Sequence, residues 1–288
     1  AEKWAIPEGR VVISNGADNL ILMITSAFVN EGDEVVMADP TFAVYTNATQ
    51  IMGGKPIKVK LKNFTHDLEA MLKRVGRKTK LVFICNPNNP TGTTISLESF
   101  NDFLSNLPKH VIVVLDEAYW DFAEDIFSPK GFDYVKSENQ KIVLRTFSKV
   151  YGLAGLRIGY ALGREDLIHC LYQVRDPFPV HRIAQVAAVA ALKDRDHVTH
   201  SIQCVYEGRR YLYRELDKMG FSYVPSQANF IFIDFKKNSD ELFRDFLKEG
   251  IILRPGKVWG YPTFARVTIG RMGDNRRFIK ALKKIYGR

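Results

Sequence analysis

The chain has 288 residues, of which 46% are hydrophobic and 25% charged, proportions typical of a globular protein with one large domain or two modest ones. Its formal net charge is +9, but the basic residues are dispersed, so we expect attraction of anionic small molecules rather than nucleic-acid binding. Three scattered cysteines and the lack of a long apolar run exclude a disulfide framework and a membrane span, and predict a cytoplasmic protein without membrane partners.

A short apolar run, a turn and a helical pattern alternate from Val11 to about Leu162. The predicted strands are Val11–Ser14, Glu34–Ala38, Ile57–Leu61, Leu81–Cys85, Val111–Leu115, Ile142–Thr146 and Ile158–Leu162. The predicted helices between them are Ala17–Phe28, Tyr45–Met52, Asp67–Val75 and Leu97–Leu107. Several strands are apolar on both faces, which is typical of strands covered by helices on both sides. The pattern predicts an α/β fold, a three-layer α/β/α sandwich with a mostly parallel sheet.

The pattern changes after Pro177. Helices become longer and more exposed, and strands fewer; the predicted elements are the helices Ile183–Leu192, His197 to about Met219, Ser239–Glu249 and Asn275–Tyr286, and the strands Phe230–Asp234 and Val267–Ile269. This change predicts a smaller C-terminal α+β domain. We therefore expect a large domain over residues 1–192 and a small domain over residues 193–288.

The turn after the first strand, Asn15–Asp18, has the features of an anion pocket. Gly16 permits a tight turn, and the backbone amides of Ala17 and Asp18 open a helix, where anions bind. An ordinary capped turn explains the same residues, and taken alone they favour that interpretation.

Two later strands also end in polar residues. Asn86–Gly92 follows Leu81–Cys85, and its two X-Pro steps fix an irregular loop that holds an Asn side chain able to donate and accept. Asp116 follows Val111–Leu115, where a carboxylate is costly without a cationic partner, although an exposed loop acid fits equally well.

Lys149 and Arg157 follow the strand Ile142–Thr146. A lone lysine after a strand is usually a solvated charge, but two glycines between Lys149 and Arg157 let the backbone approach a ligand. Because ligands of open α/β sheets lie beyond the carboxyl ends of the strands, these residues predict one site with an anion pocket, an Asn, an Asp, a Tyr, a Lys and an Arg. A pyridine aldehyde that carries a phosphate fits this inventory.

The motifs NGAD, PTF, NPNNPTG, DEAY, TFSK and LRIGY, in this order, resemble those of fold-type I pyridoxal-phosphate (PLP) aminotransferases. The variant DEAYxDF, RTFSK and a later PF…AQ…AA run resemble the histidinol-phosphate aminotransferase family. The resemblance extends from about Val11 to Tyr286. It implies a PLP-dependent transaminase of histidine biosynthesis that works as a homodimer.

The resemblance also implies a role for each matching residue. Lys149 is the lysine that binds the cofactor covalently and then acts as acid and base, and Asp116 pairs with the pyridine N–H. Tyr119 and Asn89 hydrogen-bond the phenolate oxygen of the ring. Phe42 stacks on the ring face, with Tyr45 as a competitor for that position. The phosphate is held by Gly16, Ala17, Asp18, Thr146, Ser148 and Arg157.

Substrate recognition is implied at Arg266, which resembles the arginine that grips a substrate carboxylate; a surface charge at a strand edge is the alternative. The implied reaction moves an amino group from histidinol phosphate, or from an aromatic amino acid, to 2-oxoglutarate. Two other functions stay open. One is a decarboxylase resembling threonine-phosphate decarboxylase, and the other is the PLP-binding sensor domain of a transcription regulator.

The chain departs from the family pattern in three places. Asn19 stands where the family commonly has Glu, beside the phosphate pocket. Pro179, His181 and Arg182 replace family residues near the active site, so they are expected to alter substrate recognition; for His181 and Arg182 the alternative is a surface position that caps the next helix. Only residues 1–10 precede the first strand, so we expect the family's N-terminal arm, which covers the substrate, to be missing from this chain.

Overall fold

A computed structural model describes residues 1–135 and 140–287 of the chain. The strands are β1 (Val11–Ser14), β2 (Glu34–Asp39), β3 (Lys55–Lys60), β4 (Thr79–Cys85), β5 (Ile112–Asp116), β6 (Lys141–Thr146), β7 (Gly159–Gly163), β8 (Ser222–Val224), β9 (Phe230–Asp234), β10 (Arg254–Pro255) and β11 (Phe264–Thr268). The helices are α1 (Gly16–Phe28), α2 (Val44–Ile51), α3 (Leu68–Lys73), α4 (Leu97–Asn106), α5 (Gly131–Val135), α6 (Glu165–Gln173), α7 (Arg182–Lys193), α8 (Arg195–Lys218), α9 (Ser239–Lys248) and α10 (Met272–Ile285). None of these described helices is both long and apolar enough to cross a lipid bilayer.

The large sheet has seven strands in the order β1-β7-β6-β5-β4-β2-β3. The five strands from β6 to β3 are parallel neighbours, and β7 runs antiparallel to both β1 and β6. Cys85 of β4 pairs with Asp116 of β5, and Asp116 pairs with Leu144 of β6. The carboxyl ends of these three strands therefore meet at one edge of the sheet.

Helices cover both faces of this sheet. Successive side chains of a strand point to opposite faces, so each strand contributes to the apolar layers on both sides. In β4, Phe83 belongs to the buried apolar cluster that includes Leu20 of α1 and Tyr45 of α2. Its neighbours Val82 and Ile84 belong to the cluster on the other face, with residues of α3 and α4. The predicted three-layer α/β/α sandwich is confirmed.

The second sheet has four antiparallel strands in the order β10-β11-β9-β8. Ile231 and Ile233 of β9 share a buried cluster with Leu212 of α8 and Leu282 of α10. The same cluster includes Val143 of β6, so the two sheets are joined by a common apolar core. The smaller C-terminal α+β part is thus confirmed, while its division from the large domain after residue 192 stays a prediction.

The helix starts show where the backbone has spare hydrogen-bond donors. Asp67, Ser96 and Asp194 cap α3, α4 and α8, each accepting a hydrogen bond from an amide in the first turn. Asn15 precedes α1 but makes no such side-chain bond. The first amides of α1 are therefore free to bind another acceptor.

Candidate active site

A cavity of about 200 Å³ lies at the carboxyl ends of β4, β5 and β6. Its lining residues are Ala17, Asp18, Phe42, Cys85, Asn89, Asp116, Ala118, Tyr119, Thr146, Ser148, Lys149, Ala154 and Arg157. All of the site residues predicted from the sequence line this cavity except Gly16 and Arg266, and each of these two contacts a residue that does. The strand-end pattern therefore located one continuous site.

Asp116 is the buried acid of the cavity, with 3% of its surface exposed. Its Oδ2 accepts a hydrogen bond of 2.6 Å from the Tyr45 hydroxyl, and its Oδ1 accepts one of 3.0 Å from the Ala118 amide. In the part of the chain that the structure describes, no basic side chain forms an ion pair with Asp116. Burial raises the pKa of Asp116, so the site holds a costly carboxylate that a cationic ligand group would stabilise.

Lys149 lies on the turn after β6, with its Nζ 4.9 Å from the centroid of the Tyr119 ring. Burial, followed by the nearby positive charge of Arg266, lowers the pKa of Lys149. No carboxylate among the described residues pairs with its ammonium. A lowered pKa increases the fraction of neutral amine, which is the nucleophilic form and the form that accepts a proton.

Gly16, Ala17, Asp18, Thr146, Ser148 and Arg157 surround the start of α1. Arg157 has a left-handed backbone conformation (φ +49°), and its Nη2 lies 3.2 Å from Asp18 Oδ2. A Cβ at residue 16 would lie 2.7 Å from Arg157 Nη2, and Gly16 has φ +83°, so the guanidinium can approach this turn only because residue 16 is glycine. Free helix amides next to a guanidinium and two hydroxyl side chains are groups suited to bind an anion.

Asn89 and Tyr119 also line the cavity, and Arg266 contacts Asn89 from outside the lining. The Arg266 guanidinium donates to Asn89 Oδ1 and lies over the Phe230 ring, 5.0 Å from its centroid. Tyr119 packs edge-on against the same ring, and burial raises the pKa of its hydroxyl. That hydroxyl has no hydrogen-bond partner within the described residues, so it is available as a donor to a ligand.

Phe42 and Tyr45 have different positions, which resolves the competition between them for the cavity face. Phe42 lines the cavity, and Tyr45 is fully buried behind Asp116, stacked on Phe83 with 4.5 Å between ring centroids. The link between Tyr45 and Asp116 was not predicted. Tyr45 and Asp116 are 71 residues apart in the chain, so no local sequence signal indicated this contact.

Cys85 also lines the cavity, which the sequence did not predict. It is 2% exposed, and burial raises the pKa of its thiol to about 12. The thiol therefore stays protonated and acts as a small apolar wall.

His181 lies outside the cavity lining and caps α7, where its Nδ1 accepts a hydrogen bond of 3.3 Å from the Ala184 amide. Of the two expectations for His181, the structure shows the cap at the surface. Arg182, the first residue of α7, is exposed.

A larger groove of about 600 Å³ lies beside the first turns of α3 and α4. Its charged residues are Asp67, Glu69 and Asp102 against Lys62. His66, which also lines it, is neutral at neutral pH because burial lowers its pKa to about 4. The residues of this groove do not combine an unpaired acid, an amine and an anion cradle, so we place the site at the strand ends.

Comparison with known proteins gives a consistent result. The family model of class I and II aminotransferases matches residues 2–282. A histidinol-phosphate aminotransferase from Moorella thermoacetica is 48% identical over 286 residues, which are 99% of this chain and 74% of that protein. A histidinol-phosphate aminotransferase from Sinorhizobium meliloti, solved in complex with pyridoxal-5'-phosphate, superposes with a TM-score of 0.92 at 28% identity and covers 99% of this chain and 78% of that one.

One solved structure with a different activity shares the fold. The L-threonine-O-3-phosphate decarboxylase from Porphyromonas gingivalis superposes with a TM-score of 0.86 at 23% identity, covering 100% of this chain and 87% of that one. At this identity the likeness concerns the fold alone. The match over residues 2–282 and the 48% identity decide the family: this chain belongs to the class I and II aminotransferases.

Proposed function

We propose that the chain is a PLP-dependent aminotransferase whose amino donor is histidinol phosphate and whose acceptor is 2-oxoglutarate. One observation carries the proposal: a buried carboxylate without a cation, Asp116, and a half-buried amine without an anion, Lys149, line the same cavity. Bound PLP would supply a cationic ring nitrogen, an aldehyde and a phosphate, and would withdraw electrons from bonds to the substrate α-carbon.

The residues present fit this cofactor. Asp116 would hold the protonated ring nitrogen, and Tyr119 and Asn89 would bind the phenolate oxygen. Phe42 would cover one ring face. The start of α1 at Gly16, Ala17 and Asp18, with Thr146, Ser148 and Arg157, would hold the phosphate. The fit rests on the Asp116 carboxylate, which has no cationic partner among the described residues, and on the free donors around α1 and at Tyr119.

Lys149 has two tasks in this proposal. Its neutral Nζ would hold the cofactor through a covalent bond to the aldehyde carbon, and the freed Nζ would move a proton from the substrate α-carbon to that cofactor carbon. The lowered pKa of Lys149 favours both tasks, because each needs the unprotonated amine.

Substrate recognition is proposed at a pair of arginines. Arg254 of β10 stands directly opposite Arg266 of β11. Burial lowers the pKa of Arg266 most, and the charge of Arg254 lowers it further. Like charges directly opposite each other on neighbouring strands are destabilising, and no carboxylate among the described residues pairs with either guanidinium. A phosphate dianion would offset this repulsion better than a single carboxylate, which favours a phosphorylated donor over an aromatic amino acid.

Replacing Arg254 tests this choice of donor. We expect Arg254→Ala to raise the KM for histidinol phosphate about tenfold, since a charge-assisted hydrogen bond is lost. The KM for phenylalanine should change less than about twofold, because Arg266 still binds a single carboxylate. Lys257→Ala, which removes an exposed lysine paired with Asp240, is the control and should leave both constants unchanged. Equal increases for both donors with Arg254→Ala would contradict the assignment.

A single-turnover absorbance screen tests the reaction itself. Histidinol phosphate should convert the bound cofactor to its amine form, and 2-oxoglutarate should restore the starting spectrum. Carbon dioxide release from threonine phosphate would support the decarboxylase instead. A spectrum that stays unchanged with every donor would contradict both the aminotransferase and the decarboxylase.

We also propose that the chain forms homodimers through α7. Ile183, Val186 and Val189 follow one another at three-residue spacing, and 72%, 61% and 55% of their surfaces are exposed. Such an apolar stripe on a helix is typical of a protein contact, and a second copy of the chain offers a matching stripe.

Charge placed on this stripe should separate the subunits. We expect Val186→Asp to shift the molecular mass measured by analytical ultracentrifugation from dimer to monomer, since a buried unpaired carboxylate is strongly disfavoured. Val258 has nearly the same exposure, 62%, but lies in the small domain, so Val258→Asp should remain dimeric. A monomeric wild-type protein, or a Val186→Asp variant that stays dimeric, would refute the assignment of α7.

A cytoplasmic location is proposed as well. Cys85, Cys170 and Cys204 are all free thiols, as is usual in reducing compartments. Fractionation of cells that express the protein would test this location.

A further inference from the structure

A buried ion cluster lies next to the cavity but does not line it. Arg145 Nη1 donates to Glu117 Oε2 at 3.0 Å, and Arg145 Nη2 donates to Asp121 Oδ1 at 2.8 Å. Arg145 and Glu117 are 4% and 3% exposed. None of the three residues appears in the proposed chemistry.

The cluster is closed to ligands. The Arg145 guanidinium lies between the rings of Trp4 and Trp120, 5.5 Å and 5.4 Å from their centroids. The remaining oxygen of Glu117 accepts a hydrogen bond of 2.6 Å from the Gly131 amide. Because the Arg145 guanidinium and both Glu117 oxygens already have partners, they are not available to a substrate.

Two members of the cluster, Glu117 and Arg145, are sequence neighbours of cavity residues. Glu117 follows Asp116, and Arg145 precedes Thr146, so in each pair the two side chains point to opposite faces of the sheet. Glu117 and Asp121 also stand two residues on either side of Tyr119. One guanidinium therefore binds the chain on both sides of Tyr119.

The cluster also joins two strands. The Glu117 amide donates to the Leu144 carbonyl at 3.0 Å, which continues the ladder between β5 and β6 beyond the last paired residue. Arg145 adds a side-chain link at the same level. Asp116 and Tyr119 lie on one side of this link, and Thr146, Ser148 and Lys149 on the other.

A buried ion pair commonly stabilises a fold no better than apolar side chains of similar volume, because both charges lose their hydration. Its best use is to fix geometry, and the planar guanidinium fork is suited to holding two carboxylates at once. We propose that Arg145 is a positioning residue, which holds the ends of β5 and β6 so that Asp116, Tyr119 and Lys149 meet one cofactor. This inference rests on the proposed PLP function.

The test compares cofactor binding with fold stability. Apo forms of wild type, Arg145→Lys and Arg145→Met are titrated with PLP, and their unfolding is followed in urea. We expect Arg145→Met to weaken PLP binding by about tenfold to hundredfold, as small misplacements in a preorganised site do, and to shift the pH midpoint of the bound cofactor's visible absorption. Arg145→Lys keeps the charge but reaches only one carboxylate, so its PLP affinity should lie between those of wild type and Arg145→Met.

Arg209 provides the matched control. It is also 4% exposed, and its Nη1 donates to Glu124 at 2.7 Å, but it lies on α8. Arg209→Met should lose stability in urea while keeping the wild-type PLP affinity and pH midpoint.

The outcomes separate the two proposals. A folded Arg145→Met protein with wild-type affinity and midpoint would overturn the positioning role, and so would an Arg209→Met protein that loses PLP to the same extent. If Arg145→Met does not fold, Arg145→Lys and Asp121→Asn carry the same comparison. A wild-type protein that fails to bind PLP would instead refute the proposed function.

Discussion

Asp116→Asn should lower kcat/KM by a factor between about 10² and 10⁴. Removing one partner of a buried charge pair costs about 3–5 kcal/mol, and each 1.36 kcal/mol is a factor of ten in rate. Asn cannot keep a ring nitrogen protonated, so the loss should appear in kcat and not only in KM. Steady-state kinetics with saturating PLP would measure it.

The apo form of the same variant should not lose stability. Burial raises the pKa of Asp116, which means that the folded state disfavours the ionised carboxylate at neutral pH. Asn carries no charge to desolvate and still accepts a hydrogen bond from Tyr45 or the Ala118 amide. An unchanged or higher melting temperature with lost activity is the expected combination, and full activity would contradict the role of Asp116.

Lys149→Ala should lower kcat by about 10⁴-fold or more, because acid–base catalysis by a positioned side chain alone contributes up to about 10⁴. The variant would retain PLP only through hydrogen bonds and charge, and dialysis should remove the cofactor faster than from wild type. Stopped-flow absorbance with histidinol phosphate would measure the remaining rate.

Lys141 offers a close control for this variant. It is buried at the other end of the same strand, its Nζ lies 4.9 Å from the Tyr134 ring centroid, and burial lowers its pKa to about 8. Lys141→Ala therefore removes an equally unusual lysine from the amino end of β6. It should retain the wild-type kcat, and comparable losses in the two variants would contradict a specific role for Lys149.

The strands and helices of the large domain were predictable along the chain because their signals are local. Runs such as Val111–Leu115 are apolar at every position, and in the structure the strand Ile112–Asp116 is buried throughout. Elements with weak or short patterns were absent from the prediction. Strand β8 has three residues and β10 has two, one of them Pro255, too few to show any periodicity. Helix α6 was also absent, although Leu167, Ile168 and Leu171 carry helical spacing and are buried.

The members of the site were predictable for a topological reason, since the carboxyl ends of parallel strands meet at one edge. Asp116, Lys149 and Arg157 could therefore be placed together before any contact was known. Three contacts could not be predicted from the sequence: Tyr45 with Asp116, Arg145 with Glu117, and Arg254 with Arg266 across the strands. Each depends on how distant segments pack or pair, which the periodicity of a single segment does not encode.

The proposed function depends most on Lys149 being the residue that holds PLP. Borohydride reduction of the PLP-loaded wild-type protein, followed by peptide mass mapping, tests it directly, because reduction makes the bond between the lysine amine and the cofactor permanent. We expect the added mass of the reduced cofactor on the peptide that contains Lys149. Modification of Lys141 or another lysine in its place, or no modification of a protein that has bound PLP, would contradict it.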